Sequence, residues 1–282
     1  MSNVVIGWRN RMGSGATLTG GSWNAALPLN NLLTTERAEV ARSTDALAAS
    51  TQFNVDFGVA RTIRTLALIN HNLSQSATWR VKLGTASGAG DIYTSAYQAA
   101  WYIPFGTGAE EWESGAWWAP ANDEFTGHPY MSPILLTTSY LARYMTIEIL
   151  DTGNTAGYVQ IGRVFAGEGF DPDYNPAYGL KQGWKDPSKV EVNDSGSPFF
   201  KELRRMRTVS FELPSMSLEK ADVAWEMSRR SGTVKEIMYL PNKTDFQECQ
   251  RYGFVGRFSD LQPQTYNFYL RKAQAFTIEE WL

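Results

Sequence analysis

One cysteine, Cys249, and two histidines, His71 and His128, stand among 282 residues. A lone thiol excludes an internal disulfide and a CxxC zinc site, so stability has to come from packing or from assembly. Two histidines leave little material for Ser–His–Asp chemistry, which needs a positioned base. His71 closes a predicted strand in LINHNLS, at what would be a rim loop, and His128 lies in the turn-like TGHPY. Neither a GxSxG elbow nor a glycine-rich phosphate loop behind a strand is present. No apolar run reaches the about 18 residues of a membrane-spanning helix. The opening MSNVVIGWRNRMG lacks an apolar stretch of signal-peptide length, which fits synthesis in a reducing cytoplasm. Basic excess is missing too. The net charge is −3, with 10 Lys and Arg against 13 Asp and Glu up to Glu168 and 16 of each sign beyond it. Nucleic acid is therefore not an expected partner. No cofactor is expected, and no metal site is assigned: Asp91, Asp151 and Asn154 are candidate donors to a structural calcium ion, but they lack the spacing of a calcium loop.

Aromatic residues are abundant, at 13% with 10 Trp and 13 Tyr, and favour strands and interfaces. Strand signals fall at 52–57, 65–70, 79–83, 144–150 and 158–167. Phe53, Val55 and Phe57 alternate inward. Met145, Ile147 and Ile149 share one face of YMTIEIL, and Thr146 and Glu148 share the other. Residues 84–130 carry no regular pattern. GEGFDPDYNPAYGL (167–180), with two prolines and several glycines, reads as a boundary. Beyond it come strand signals at 207–213, 234–240, 254–258, 265–271 and 275–281, and one helix near Leu218–Arg230. Ser217 is its predicted N-cap and Gly232 its C-terminal glycine. Leu218, Ala221 and Trp225 form its apolar stripe.

FNVDFGVARTIRTLALINHN, ARYMTIEIL and YVQIGRVFAGEG, in that order, resemble the strands of the discoidin, galactose-binding-like family. The resemblance implies a jelly-roll β-sandwich over about 24–168, with Arg143 and Tyr144 matching the family's late arginine–tyrosine pair. SLEKADVAWEMSRRSGTVKEIMYLPN and YGFVGRF resemble small tail proteins of long-tailed bacteriophages, of the distal-tail and baseplate kind. The expected fold class is thus mostly β: a galactose-binding-like jelly-roll sandwich plus a second, smaller β-rich (α+β) assembly domain. The expected division is 1–23 as strand and linker, 24–168 as sandwich and 169–282 as assembly domain.

Trp112, Trp117 and Trp118 sit among Glu110, Glu111, Glu113, Asp123 and Glu124. They read either as a sugar groove, with His71 and Asn72 on the neighbouring rim, or as an insertion packing on its own domain or a neighbouring subunit. Hydrolysis by paired carboxylates is disfavoured, because catalytic carboxylates sit on rigid elements and this stretch reads as loop. The basic run KELRRMR (201–207) reads as a charged edge or solvated loop. The second part holds more large aromatics than a small domain hides, so Trp225, Phe276 and Trp281 are expected at subunit contacts. The resemblance implies a non-enzymatic virion component of a phage tail tip or baseplate, made in the host cytoplasm. Its expected partners are a homo-oligomeric ring, other tail proteins and a cell-surface glycan. The alternatives are a stand-alone carbohydrate-binding protein and a polysaccharide-degrading tail enzyme.

Overall fold

The computed structural model describes residues 4–13, 15–102, 131–192 and 198–281. Among the described residues strand makes up 50% and helix 12%, so the fold is mostly β. Its strands run from β1 (Val5–Trp8) to β17 (Arg271–Glu280). They fall into two compact units. One holds Asn10–Gly169 and Asp245–Arg251, the other Met1–Arg9, Phe170–Thr244 and Tyr252–Leu282. Each unit is assembled from separated stretches of chain, unlike the linker and two continuous domains expected from the sequence.

The first unit is a sandwich. Its elements are β2 (Thr17–Thr19), β3 (Ala41–Arg42), α1 (Ala48–Thr51), β4 (Phe53–His71), β5 (Thr78–Gly84), β6 (Tyr93–Thr94), β7 (Gln98–Ala99), β8 (Met131–Leu150) and β9 (Gln160–Phe170). All pairings are antiparallel. One sheet runs β2–β4–β8–β5, with β6 and β7 on the outer edge of β5. The second runs β3–β9–β4–β8. Both contain β4 and β8, because each long strand changes partners along its length. Register shifts between Asp56 and Arg61 and between Ile63 and Thr65 mark the change. Gly58, at φ +75°, supplies a backbone state that other residues rarely adopt. The two signals at 52–57 and 65–70 are therefore one bent strand. β8 starts at Met131, long before Tyr144, and Pro133 opposite Ala67 masks its first half.

Alternation buries what the sequence indicated. Phe53, Val55, Met145, Ile147 and Ile149 are all enclosed, and meet Trp79, Val81, Leu66 and Leu68 in one core. The Trp79 indole donates to Ser132 Oγ at 2.7 Å, so its polar atom is not stranded. Each such side chain contributes about 1.5–3 kcal/mol by leaving water.

A short helix from late in the chain completes this unit. Within α3 (Phe246–Tyr252), Gln250 is buried. Its Nε2 donates to the carbonyls of Ala100 and Met131 at 2.9 and 3.3 Å, and its Oε1 accepts from Tyr102 N at 2.5 Å.

The second unit adds β10 (Lys181–Lys185), β11 (Lys189–Val192), β12 (Pro198–Lys201), β13 (Met206–Ser217), α2 (Leu218–Ser231), β14 (Ile237–Leu240), β15 (Phe254–Asp260) and β16 (Thr265–Phe268). Its sheet runs β10–β13–β17–β15–β14–β1, antiparallel throughout, with β16 also on β17. Phe211, Tyr239, Phe254, Phe258 and Phe276 form a chain of rings with centroids 5.8 Å apart. Ser217 caps α2 by accepting from Lys220 N, and Gly232 ends it at φ +53°, as expected. The predicted stripe is rotated. Ala221, Ala224 and Met227 are buried, while Trp225 lies on the solvent side.

Candidate functional site

The outward face of the first sheet gathers polar side chains on paired strands. Arg80 lies opposite Glu148, Lys82 opposite Thr146, and Thr146 opposite Asn54. Strand alternation puts them outside for the same reason that it puts Trp79, Val81, Ile147 and Ile149 inside. Glu148 is the hub. It accepts from Arg80 Nε at 2.5 Å and from Tyr97 Oη at 3.1 Å, and pairs with Lys82 Nζ at 2.6 Å. The Arg80 guanidinium lies 4.3 Å from the Tyr97 ring centroid, and that residue is 38% exposed. Burial raises the Glu148 carboxyl, but bonds from Lys82, Arg80 and Tyr97 outweigh it and hold it below its ordinary value. Burial pushes the Tyr97 phenol up, and its bond to Glu148 adds to this, so it stays a donor.

Asp56 continues this face opposite Tyr144, and Arg143 grips it with two bonds of 2.9 Å and lies over the Tyr144 ring. The Arg143 bond drives the Asp56 carboxyl down to about 2. Asp56 also accepts from Gly58 N, so it anchors the turn where β4 bends. The aspartate–glycine and arginine–tyrosine motifs, far apart in sequence, therefore meet.

The sequence-derived candidates fare unevenly. Trp112, Trp117, Trp118 and the neighbouring carboxylates lie outside the described residues. His71 is not a rim residue. It is 3% exposed, edge-on to Trp101 at 5.2 Å, and accepts from Leu73 N, so its ring offers no open face to a sugar. Asn72 holds two loops together. Its Nδ2 donates to Tyr158 O and its Oδ1 accepts from Gln160 N. Asp151 and Asn154 bond to each other, and Asp151 also accepts from Ser74, while Asp91 accepts from Thr85. Among the described residues no group of three or more His, Cys, Asp or Glu could hold a metal ion.

In the second unit Trp225 is 59% exposed, as a contact residue would be. Phe276 is not available for a contact: it is buried in the ring chain, because β17 is an interior strand. Trp281 is half-buried and lines a shallow cleft with Met206, Val234 and Arg257. KELRRMR divides in two. Glu202–Arg205 are exposed, whereas Arg207 is buried on Glu280, with a 2.5 Å bond to Oε1 and two of 3.0 Å to Oε2.

Sequence reading missed Arg80, Lys82 and Tyr97. The alternation of TWRVKLG, Trp79–Val81–Leu83 against Arg80–Lys82, was the available signal for the first two.

No known family model matches the chain, nor does any curated protein. Solved structures similar to it include CBM32-1 from a family 31 glycoside hydrolase of Clostridium perfringens, at 12% identity over 57% of this chain and 99% of that one, TM-score 0.35. The family 32 CBM of C. perfringens NanJ, in complex with galactose, has 11% identity over 58% and 99%, TM-score 0.38. Chitosan-binding module 1 of a Paenibacillus sp. IK-5 chitosanase/glucanase has 12% over 57% and 99%, TM-score 0.35.

Proposed function

We propose that the chain is a glycan-binding protein without catalytic activity, and that the sandwich binds through the outward face of its first sheet. The Arg80–Tyr97–Glu148–Lys82 group carries this reading. A saccharide offers an apolar C–H face and a fringe of hydroxyls. The first suits an exposed ring, and the second suits fixed charged donors and acceptors. Here both kinds of partner sit on rigid strands in a fixed mutual geometry. Calorimetric titration of the full chain with a panel holding galactose, chitosan oligomers and bacterial surface polysaccharides tests it. Tyr97→Ala should weaken the best ligand about tenfold, the worth of a lost stacking contact, with melting temperature unchanged. Silence across the panel, or full affinity in Tyr97→Ala, defeats the reading.

A second reading concerns the other unit, and its exposed aromatics favour it. β11 and β12 form a separate two-stranded sheet whose residues are all exposed, Phe199 and Phe200 among them. Isolated hairpins are marginal in water, and a covered apolar face is the usual remedy. On this reading the unit assembles with further copies and with other tail proteins, in a ring at a phage tail tip, and the sandwich presents its glycan site from the virion. Light scattering on the purified chain and electron microscopy of particles test it; a monomer in both defeats it.

A further inference from the structure

The sheet-face site has a charge imbalance that points to its ligand. Arg80 and Lys82 share one carboxylate, Glu148. The adjoining Arg143–Asp56 pair is closed on itself and adds no net charge. The Arg80 guanidinium spends only Nε on Glu148. Its Nη1 and Nη2 make no hydrogen bond to any described residue, and the side chain is partly exposed. Stacking on Tyr97 holds the guanidinium plane in place. What remains is an end-on fork of two nitrogens, preoriented beside an ammonium group and the part of the Tyr97 ring that the guanidinium leaves exposed.

Resting on the glycan reading, we infer that this face selects a sugar bearing a carboxylate, of the uronic acid type. The planar carboxylate matches the end of the fork with two parallel N–H···O bonds, which a hydroxymethyl group cannot make. It would supply the negative charge that the two cations lack, while the sugar ring lies along Tyr97. Because the fork is already ordered, little side-chain freedom is lost on binding.

The test compares two oligosaccharides differing only at C6, oligogalacturonate and the matching neutral galacto-oligosaccharide, titrated into the full chain. The acid should bind about tenfold tighter at about 50 mM salt, with the advantage shrinking at about 500 mM as partly exposed charges are screened. Arg80→Gln should bring the acid-to-neutral affinity ratio close to one. Glu148→Gln should raise that ratio, because it removes the competing carboxylate, and a merely structural role for the network predicts no such rise. Circular dichroism and melting temperature verify that each variant is folded. Equal affinity for the two sugars, or an unchanged ratio in both variants, overturns this inference and leaves the glycan reading standing. No binding of either sugar, nor of any panel member, overturns both.

Discussion

At the residue scale, His71 illustrates how burial changes a side chain's chemistry. Burial pushes its imidazole down from 6.5 to about 3. The folded value lies below the unfolded one, so the unfolded chain binds more protons between them. The stabilising contribution is complete above about pH 6.5 and drains away as pH falls towards 3. At about pH 4.5 the loss from this residue alone is about 2–3 kcal/mol. Urea unfolding at about pH 7 and about pH 4.5 measures it. His71→Gln, which cannot titrate, should lose less between the two; an identical loss in wild type and variant rules the account out. Arg207 makes the complementary case. Its side chain donates to both Glu280 oxygens and to Gly253 O. Glu280→Ala strands a buried guanidinium, so denaturant melts should show a loss of about 3–5 kcal/mol. Nothing in the sequence distinguished Arg207 from its neighbours Arg204 and Arg205, because burial depends on a partner strand remote in the chain. The Asp56–Arg143 contact was half visible: each motif could be read, but their meeting depends on the β4–β8 register.

At the element scale, legibility followed pattern length. YMTIEIL could be read because its alternation has one buried and one open face. The first half of β8 could not, since MSPILLTT has apolar neighbours on both sides and a proline. Helix α2 showed its ends clearly and its face poorly: cap chemistry is local, whereas the buried stripe depends on what packs above it. Helix α3 went unread although a signal was there. Asp245 stands three residues before Glu248, the spacing of an N-terminal cap, and the Glu248 amide does bond to Asp245 Oδ1 at 3.0 Å. Gln250→Leu removes all three bonds that α3's buried side-chain amide makes to Ala100, Tyr102 and Met131. The expected cost is about 1–3 kcal/mol for each backbone group left without a partner. The neighbouring Cys249, buried and reduced, reports on docking. Its labelling by a thiol reagent should be slow in the wild type and faster in Gln250→Leu under native conditions. Equal rates would mean that the glutamine does not hold the helix down.

At the scale of the whole molecule, the sequence indicated two β-rich parts with helix in the minority, but not their threading. The sandwich borrows α3 from beyond residue 244, and β1, at the start of the chain, pairs with β14 near its end. Composition cannot reveal either, because both are long-range pairings. The aromatic surplus of the second part was legible as a sum, though the exposed members include Trp184, Phe199, Phe200, Trp225, Phe268 and Tyr269 and not Phe276. If these rings mediate assembly, Phe199→Ser with Phe200→Ser should reduce oligomer mass in light scattering without shifting the melting temperature. Unchanged mass would place the contact elsewhere.

The chain passes from one unit to the other after residues 9, 169, 244 and 251. The sandwich is therefore not a cassette. A gene fragment for residues 24–168 encodes most of its strands but omits β2 and the helix whose glutamine ties Ala100, Tyr102 and Met131 together. Deleting the same fragment removes all three partners of Gln250. Transplanting the sandwich to another protein therefore requires four cuts and a splice, and so does its gain or loss by recombination.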